Sequence, residues 1–191
     1  VILDENHVGI YSLDVTGEGI TAAFLAMTLS RLLSDSSNQS SILVEWNADH
    51  SAVSITQPSD VASRLNQQFG GDAEASQFFT LMYGVLNRKT REFQFINADH
   101  PPVLHVPSDD SPRMLNVGGF PIGMAPEGTT FDQQSVQLKL GDRLLIYSDG
   151  LPDAMNSDGN VYGTARLLSD VDSLTAVSLR DVVSSLVSRS T

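Results

Sequence analysis

Two hydrophobic runs, each breaking off at an aspartate and a glycine-bearing turn, set the terms for any fold of this chain. Val8-Gly9-Ile10-Tyr11-Ser12-Leu13 leads into Asp14-Val15-Thr16-Gly17-Glu18-Gly19, and Arg143-Leu144-Leu145-Ile146-Tyr147-Ser148 leads into Asp149-Gly150. Runs rich in Val, Ile, Leu and Tyr read as strands. A strand fixes the position of whatever follows it, and glycine allows the bends that bring backbone carbonyls close to a ligand. Hard cations such as Mg²⁺ and Mn²⁺ take carboxylate, carbonyl and water oxygens, so Asp14 and Asp149 are candidate ligands of one metal centre. The plainer reading, that both are turn residues, stays open, because Asp is common where strands end.

The charge balance narrows the partners. Eleven basic residues against 23 acidic ones give a formal net charge of -12, so the overall field opposes binding to nucleic acid or to an anionic membrane. No apolar run approaches the roughly 20 residues of a spanning helix, and the first residues carry neither the basic region nor the apolar stretch of a secretion signal. The expectation is a cytoplasmic protein without membrane or nucleic-acid partners. Cysteine is absent, which excludes disulfides, thiolate zinc sites and a cysteine nucleophile. His7, His50, His100 and His105 lack the i, i+4 spacing of a helical zinc motif and read as surface or packing residues.

At 191 residues, with no internal repeat and no shift in composition, the chain reads as one domain over 1–191. Residues 20–33 are apolar on most sides and rich in helix formers, which predicts a deeply buried helix with its Met and Phe in the core. The segment 34–57 opens on a polar, loop-like stretch and offers at most a short strand at Ala52–Thr56; it is the part read as mobile or specialised. Pro58 opens a second helix to about Phe69, with Val61, Leu65 and Phe69 at i, i+4, i+8. Runs 78–86 and 92–97 around a polar turn predict a hairpin. Pro101-Pro102 makes a rigid turn. Short strands follow at 103–106, 113–116 and 135–140. Ser178 with Asp181 resembles a capping box that starts a last helix carrying Leu179, Val182, Val183 and Leu186. Strands in groups with helices inserted between the groups favour an α+β layered fold over a doubly wound sheet.

Four blocks, in order, resemble the metal-dependent serine/threonine phosphatases of type 2C (PPM), in their SpoIIE/RsbU-like bacterial branch. Asp14-Val15-Thr16-Gly17-Glu18-Gly19 is similar to the branch's Asp-Val-Ser-Gly-His-Gly, and Phe79 to Leu86 to its central strand. Asn97-Ala98-Asp99-His100-Pro101-Pro102 is similar to its Asn-Ala-Gly-His-Pro-Pro, and Tyr147-Ser148-Asp149-Gly150, with Asp158-Gly159 and Tyr162-Gly163, to its Tyr-Thr-Asp-Gly region. The resemblance implies two packed, mostly antiparallel β-sheets flanked by helices, an α-β-β-α sandwich with two Mg²⁺ or Mn²⁺ ions at one edge. Carried over, it makes Asp14 a bridging ligand, gives one ion the carbonyl of Val15, and makes Asp149 a further carboxylate ligand. The implied reaction is hydrolysis of phosphoserine or phosphothreonine on an anti-anti-sigma-type regulatory protein, in the C-terminal output domain of a response regulator acting in stress signalling. A homodimer is allowed.

Two residues depart from the branch pattern: Glu18 stands where it has His or a basic residue, and Asp99 where it has Gly. The branch's acidic strand before the first block and its Asp-Asp strand near the end have no counterpart, so the expected domain lacks its first and last strands. That leaves a second function class, a catalytically inactive phosphatase-like adaptor that binds a stress-response partner.

Overall fold

The computed structural model describes residues 1–34, 41–47, 53–70, 78–115, 118–173 and 177–190. In chain order the elements are β1 (His7–Val15), α1 (Gly19–Leu32), β2 (Val44–Trp46), β3 (Val53–Ile55), α2 (Pro58–Phe69), β4 (Phe79–Asn87), β5 (Glu92–Ala98), β6 (Val103–Val106), β7 (Arg113–Leu115), β8 (Gln133–Gln137), β9 (Arg143–Leu145), α3 (Thr164–Ser173) and α4 (Leu179–Ser190). They fall into two compact units, one of residues 1–100 with 117–137 and one of 101–116 with 138–191. The strands pair antiparallel throughout, which with four helices gives the α+β class expected of the sequence.

The first unit is built on a four-stranded sheet ordered β1-β4-β5-β8, with β2 and β3 as a separate ribbon. The β4–β5 hairpin closes as the polar turn predicts: Asn87 Oδ1 accepts the N–H groups of Lys89 and Thr90, and Arg91 takes a left-handed φ of 62°. Side chains alternate across the sheet. Leu81, Tyr83, Val85, Ile96 and Ala98 share one cluster with Leu25 and Leu29 of α1 and Val61 and Leu65 of α2. The other face carries Met82, Phe93 and Phe95, each fully buried. Gly84, paired with Phe95, leaves room there for the stacked rings of Phe93 and Phe95, whose centroids are 5.2 Å apart. A Cβ at Gly84 would lie 2.5 Å from the Phe93 ring and 2.8 Å from Phe95 Cβ.

Helix α1 departs from expectation. Leu25, Leu29 and the following Leu33 are buried, but Ile20, Phe24 and Met27 are 75%, 65% and 70% exposed. The i, i+4, i+8 stripe of leucines, with Leu32 partly buried beside it, packs into the core. A helix without a polar face hides in its sequence which side is buried, and Phe24 and Met27 are therefore not core. Part of the 34–57 segment, at 35–40 and 48–52, lies outside the described residues; β2 in that segment was not expected.

The second unit holds the sheet β7-β6-β9, with α3 packed on β6 and on α4. Its core joins Leu104, Val106, Tyr147, Tyr162, Leu167, Val171, Val182 and Leu186. Ser178 caps α4 as predicted, its Oγ accepting the N–H of Asp181 and donating to that residue's carboxylate. Helix α3 had no sequence expectation. Its start is held by Tyr162, whose hydroxyl donates to Asp170 Oδ2 over 2.6 Å while the Arg166 guanidinium lies over the Tyr162 ring.

Two strands are shorter or shifted from the sequence reading, for physical reasons. β9 ends at Leu145 rather than Ser148. It pairs Leu145 with Leu104, so the next residues would have to face Val103 and then Pro102 and Pro101, which have no N–H to continue the ladder. β8 covers 133–137 rather than 135–140, because Gln137 already faces Glu92, the first residue of β5. Leu140 is left 81% exposed.

Asp142 anchors the turn before β9. Its Oδ1 accepts the N–H of Ser108 at 2.8 Å, and its Oδ2 accepts the N–H of Lys139 and Nε2–H of His105, both at 3.0 Å. His105 and Asp142 side chains are each only 2% exposed. Burial pushes the Asp142 carboxyl up, but the two backbone N–H groups and His105 outweigh it and hold the group far below the usual carboxylate range.

Two outcomes follow for stability. Gly84→Ala should cost about 1–3 kcal/mol through overpacking, seen as a lower denaturant midpoint at unchanged m-value. Because the folded pKa of Asp142 is depressed, its contribution is fully present above the unfolded pKa and is lost as pH falls. Asp142→Asn should therefore show a shallower fall of melting temperature between about pH 5 and pH 3 than the parent; parallel curves would remove Asp142 as a source of acid sensitivity.

Candidate metal centre

Asp14 lies inside β1, not beyond it. β4 extends to Phe79, so Asp14 pairs with Thr80 and Val15 with Phe79, and the ladder fixes both. The chain then leaves the sheet: Thr16 donates its N–H and its hydroxyl to the carbonyl of Phe78, Gly17 and Gly19 take φ of 100° and 79°, and Glu18 precedes the first turn of α1 without a side-chain cap. These φ values belong to the region that costs an ordinary side chain about 1–2 kcal/mol, which is why glycine stands at both positions. The Asp14 carboxylate is exposed, and no ion pair or hydrogen bond engages it among the described residues.

Alternation places Asp14 on the sheet face away from α1 and α2, together with Thr80, Met82 and Asn97. Thr80 Oγ1 lies 2.8 Å from His100 Nδ1. Asn97 Oδ1 accepts the backbone N–H of His100 and Asn97 Nδ2 donates to its carbonyl, both at 2.7 Å. Both residues are buried, at 3% for Asn97 and 5% for His100. His100 is therefore a buried residue in a network that periodicity could not show. Thr80, in a strand read only for its hydrophobicity, was missed; its pairing partner is visible only once β1 and β4 are in register. Asp99 is exposed with φ of 58°, so the branch's glycine at this place answers a left-handed conformation that Asp tolerates.

Asp149 belongs to the second unit, while Asp14 and Val15 belong to the first. Asp149 is exposed at the start of a turn in which Ser148 accepts the N–H of Leu151 and Asp149 that of Asp153. Gly150 has no positive φ, so this bend does not demand glycine. Among the described residues there is no cluster of three or more His, Asp or Glu side chains arranged for a metal ion. The donors at the end of β1, the Asp14 carboxylate and the Val15 carbonyl, are the oxygen type that Mg²⁺ and Mn²⁺ accept. Mg²⁺ commonly keeps several waters and takes one or two carboxylates, so this donor set fits a water-rich divalent ion.

A family model described as Stage II sporulation protein E (SpoIIE) matches residues 4–191. Phosphoserine phosphatase RsbP of Bacillus subtilis is 30% identical over 151 residues, which is 79% of this chain and 34% of RsbP. Protein IcfG of Synechocystis sp. is 32% identical over 95 residues, 50% of this chain and 15% of IcfG. The chain thus spans about a third or less of these relatives. Among solved structures, the RsbU and RsbW domains of Rv1364c from Mycobacterium tuberculosis align with a TM-score of 0.66 at 25% identity, over 95% of this chain and 48% of that one. RsbX in complex with magnesium aligns with a TM-score of 0.68 at 15% identity, over 100% of this chain and 77% of that one, a likeness of fold alone.

The left-handed φ at Asp99 sets an ordered series. Asp99→Gly should leave stability within about 1 kcal/mol of the parent, whereas Asp99→Val, β-branched in that region, should lower it by about 1–2 kcal/mol or more. Equal unfolding midpoints for the two would rule out backbone strain at this turn.

Proposed function

Because the chain belongs to the SpoIIE family of PP2C-type phosphatase domains, we propose that it catalyses divalent-cation-dependent hydrolysis of phosphoserine or phosphothreonine on a regulatory protein. One observation carries this reading: Asp14 is a solvent-facing carboxylate with no hydrogen bond or ion pair among the described residues, fixed by the β1–β4 ladder immediately before a glycine turn. An exposed turn residue gains nothing from such placement, while a metal ligand needs it. That a named relative is a phosphoserine phosphatase supports the substrate class, and a fold likeness to a magnesium-bound structure supports the choice of cation.

In this reading Asp14 and the Val15 carbonyl would hold Mg²⁺ or Mn²⁺, and Asp149, in the other unit, is a proposed carboxylate ligand on the resemblance alone. The bound cations supply a water of lowered pKa and neutralise charge on the phosphoryl oxygens. The chain's own residues position and admit. The left-handed Gly17 and Gly19 present no side chain where a phosphate approaches, and no atom lies within 4 Å of a Cβ built at either. Glu18, with its negative charge at the start of α1, selects for a phosphate that arrives only when cations are in place. No covalent enzyme intermediate is required.

A second reading, a phosphatase-like adaptor that binds a partner without turnover, is favoured by the lack of a three-residue ligand cluster among the described residues. Phosphate release from a phosphoserine peptide, with and without Mn²⁺, separates the two. The enzyme reading expects Mn²⁺-dependent release that Asp14→Asn lowers by about 100-fold or more. Release that is indifferent to that substitution would remove Asp14 from the site. No release from the folded chain at saturating Mn²⁺ would leave the adaptor.

A further inference from the structure

The turn that joins β4 to β5 concentrates positive charge on an acidic chain. Arg88, Lys89 and Arg91, three of the 11 basic residues, stand almost side by side and are exposed. Four cations elsewhere, Arg64, Arg113, Lys139 and Arg166, each face a carboxylate. The three at the turn make no ion pair among the described residues. Hydrogen bonds direct the neighbouring carboxylates to other groups. Asn87 Oδ1 accepts the N–H groups of Lys89 and Thr90, so its amide nitrogen is what faces His7 Nε2 at 2.9 Å. That nitrogen only donates, which puts the His7 ring proton on Nδ1, donated to Asp4 over 2.9 Å. Glu92 accepts from the Ser135 hydroxyl and the Gln94 amide, and Glu5, exposed beside Asn6, is the remaining acidic neighbour.

The backbone of the turn is fully tied. The N–H of Arg88 donates to the Asn6 carbonyl and that of Arg91 to the Asn87 carbonyl, both at 2.7 Å, so each N–H from 88 to 91 is bonded. Gln137 Nε2 holds the Thr90 carbonyl at 2.7 Å. Arg91 takes a φ of 62°, a left-handed conformation in which glycine or asparagine is usual and arginine costs stability. Its guanidinium makes no contact among the described residues that would offset this cost.

We propose that this turn is a docking point for a short acidic segment of a partner protein. Charge complementarity names the partner, since four extended residues span about 13 Å, enough to set two or three carboxylates against the three cations. A nucleic acid would run on past the patch onto negative surface, and two copies of a chain with net charge -12 repel each other. The register sets Asn87 against His7 and Thr80 against Asp14, which places the turn roughly 24 Å of strand away from Asp14. A docked segment therefore touches neither candidate ligand nor phosphate, and the inference holds for an enzyme and for an adaptor alike.

Fluorescence anisotropy of a labelled hexaglutamate peptide with the 191-residue chain tests this. Binding should appear at about 20 mM salt, weaken at about 150 mM, and be absent for hexaglutamine. Arg88→Gln, Lys89→Gln and Arg91→Gln together should lower affinity about 10-fold, each exposed charge contact being worth roughly 1.5- to 5-fold. Arg91→Gly relieves the left-handed backbone, so it should unfold at an equal or higher denaturant concentration while binding about 1.5- to 5-fold more weakly. Arg113→Gln with Lys139→Gln removes two cations that are already paired and should leave binding unchanged. An equal loss there would reveal a response to net charge alone and overturn the proposal. So would absence of binding by the folded parent at the lower salt, or equal binding by parent and triple variant. A six-nucleotide single strand that binds the turn more tightly than hexaglutamate, or self-association of the parent that the triple variant lacks, would assign the turn to nucleic acid or to a second copy and overturn it as well.

Discussion

The pairing of β1 with β4 is the constraint on which the rest of the first unit depends. Nine successive residue pairs, from His7 with Asn87 to Val15 with Phe79, leave the first strand no freedom to slip. In a sheet with both faces buried, a slip of one residue would exchange the two faces and turn Tyr11 and Leu13 away from the cluster they pack against. The same register that keeps those side chains in the core puts Asp14 on the opposite face beside Thr80. Core packing and site geometry are one commitment, so a core substitution that shifted β1 would move the carboxylate as well.

The two candidate ligands are held by different means. Asp14 is inside a ladder and inherits the rigidity of the sheet. Asp149 follows a strand that stops early because the Pro101-Pro102 turn cannot continue the pairing, and it is held instead by turn hydrogen bonds, its carbonyl accepting the N–H of Asp153 and that of Ser148 the N–H of Leu151. Behind that strand, the buried pair of His105 and Asp142 ties β6 to the turn that starts β9. A polar pair this deep tolerates no loss of one partner, since an unpaired buried carboxylate is costly. The three hydrogen bonds that Asp142 accepts make it a specific fastening and not a soft contact.

Much of this was legible in the residues. The bounds of α2 follow from Pro58 and the 61–65–69 periodicity; the β4–β5 hairpin follows from two apolar runs around Asn87; the capping of α4 follows from Ser178 and Asp181. What was not legible has common physical causes. Strand ends depend on the partner's ability to continue a ladder, which the strand's own sequence does not contain, as β8 and β9 show. The buried side of α1 depends on which leucines meet the sheet, and an apolar helix offers no polar face to mark it. Helix α3 escaped because it follows a turn-rich stretch, and its start is secured by Tyr162 and Asp170, an interaction across eight residues. At the site, Asp14 and Asp149 could be singled out by their turns, but Thr80 acquires meaning only through its partner across the sheet.

The chain's acidity fits this arrangement. With a net charge of -12, and with Asp14 near the end of β1 and Glu18 and Asp99 in the turns after β1 and β5 all exposed, the surface opposes an anionic phosphate and attracts divalent cations. In the left-handed position at 99, glycine would satisfy the backbone without adding charge; aspartate satisfies it less well and adds one. At 18 the backbone is extended and no side-chain cap is made, so the glutamate adds a negative charge at the start of α1. Both departures from the branch pattern therefore add negative charge to exposed turns.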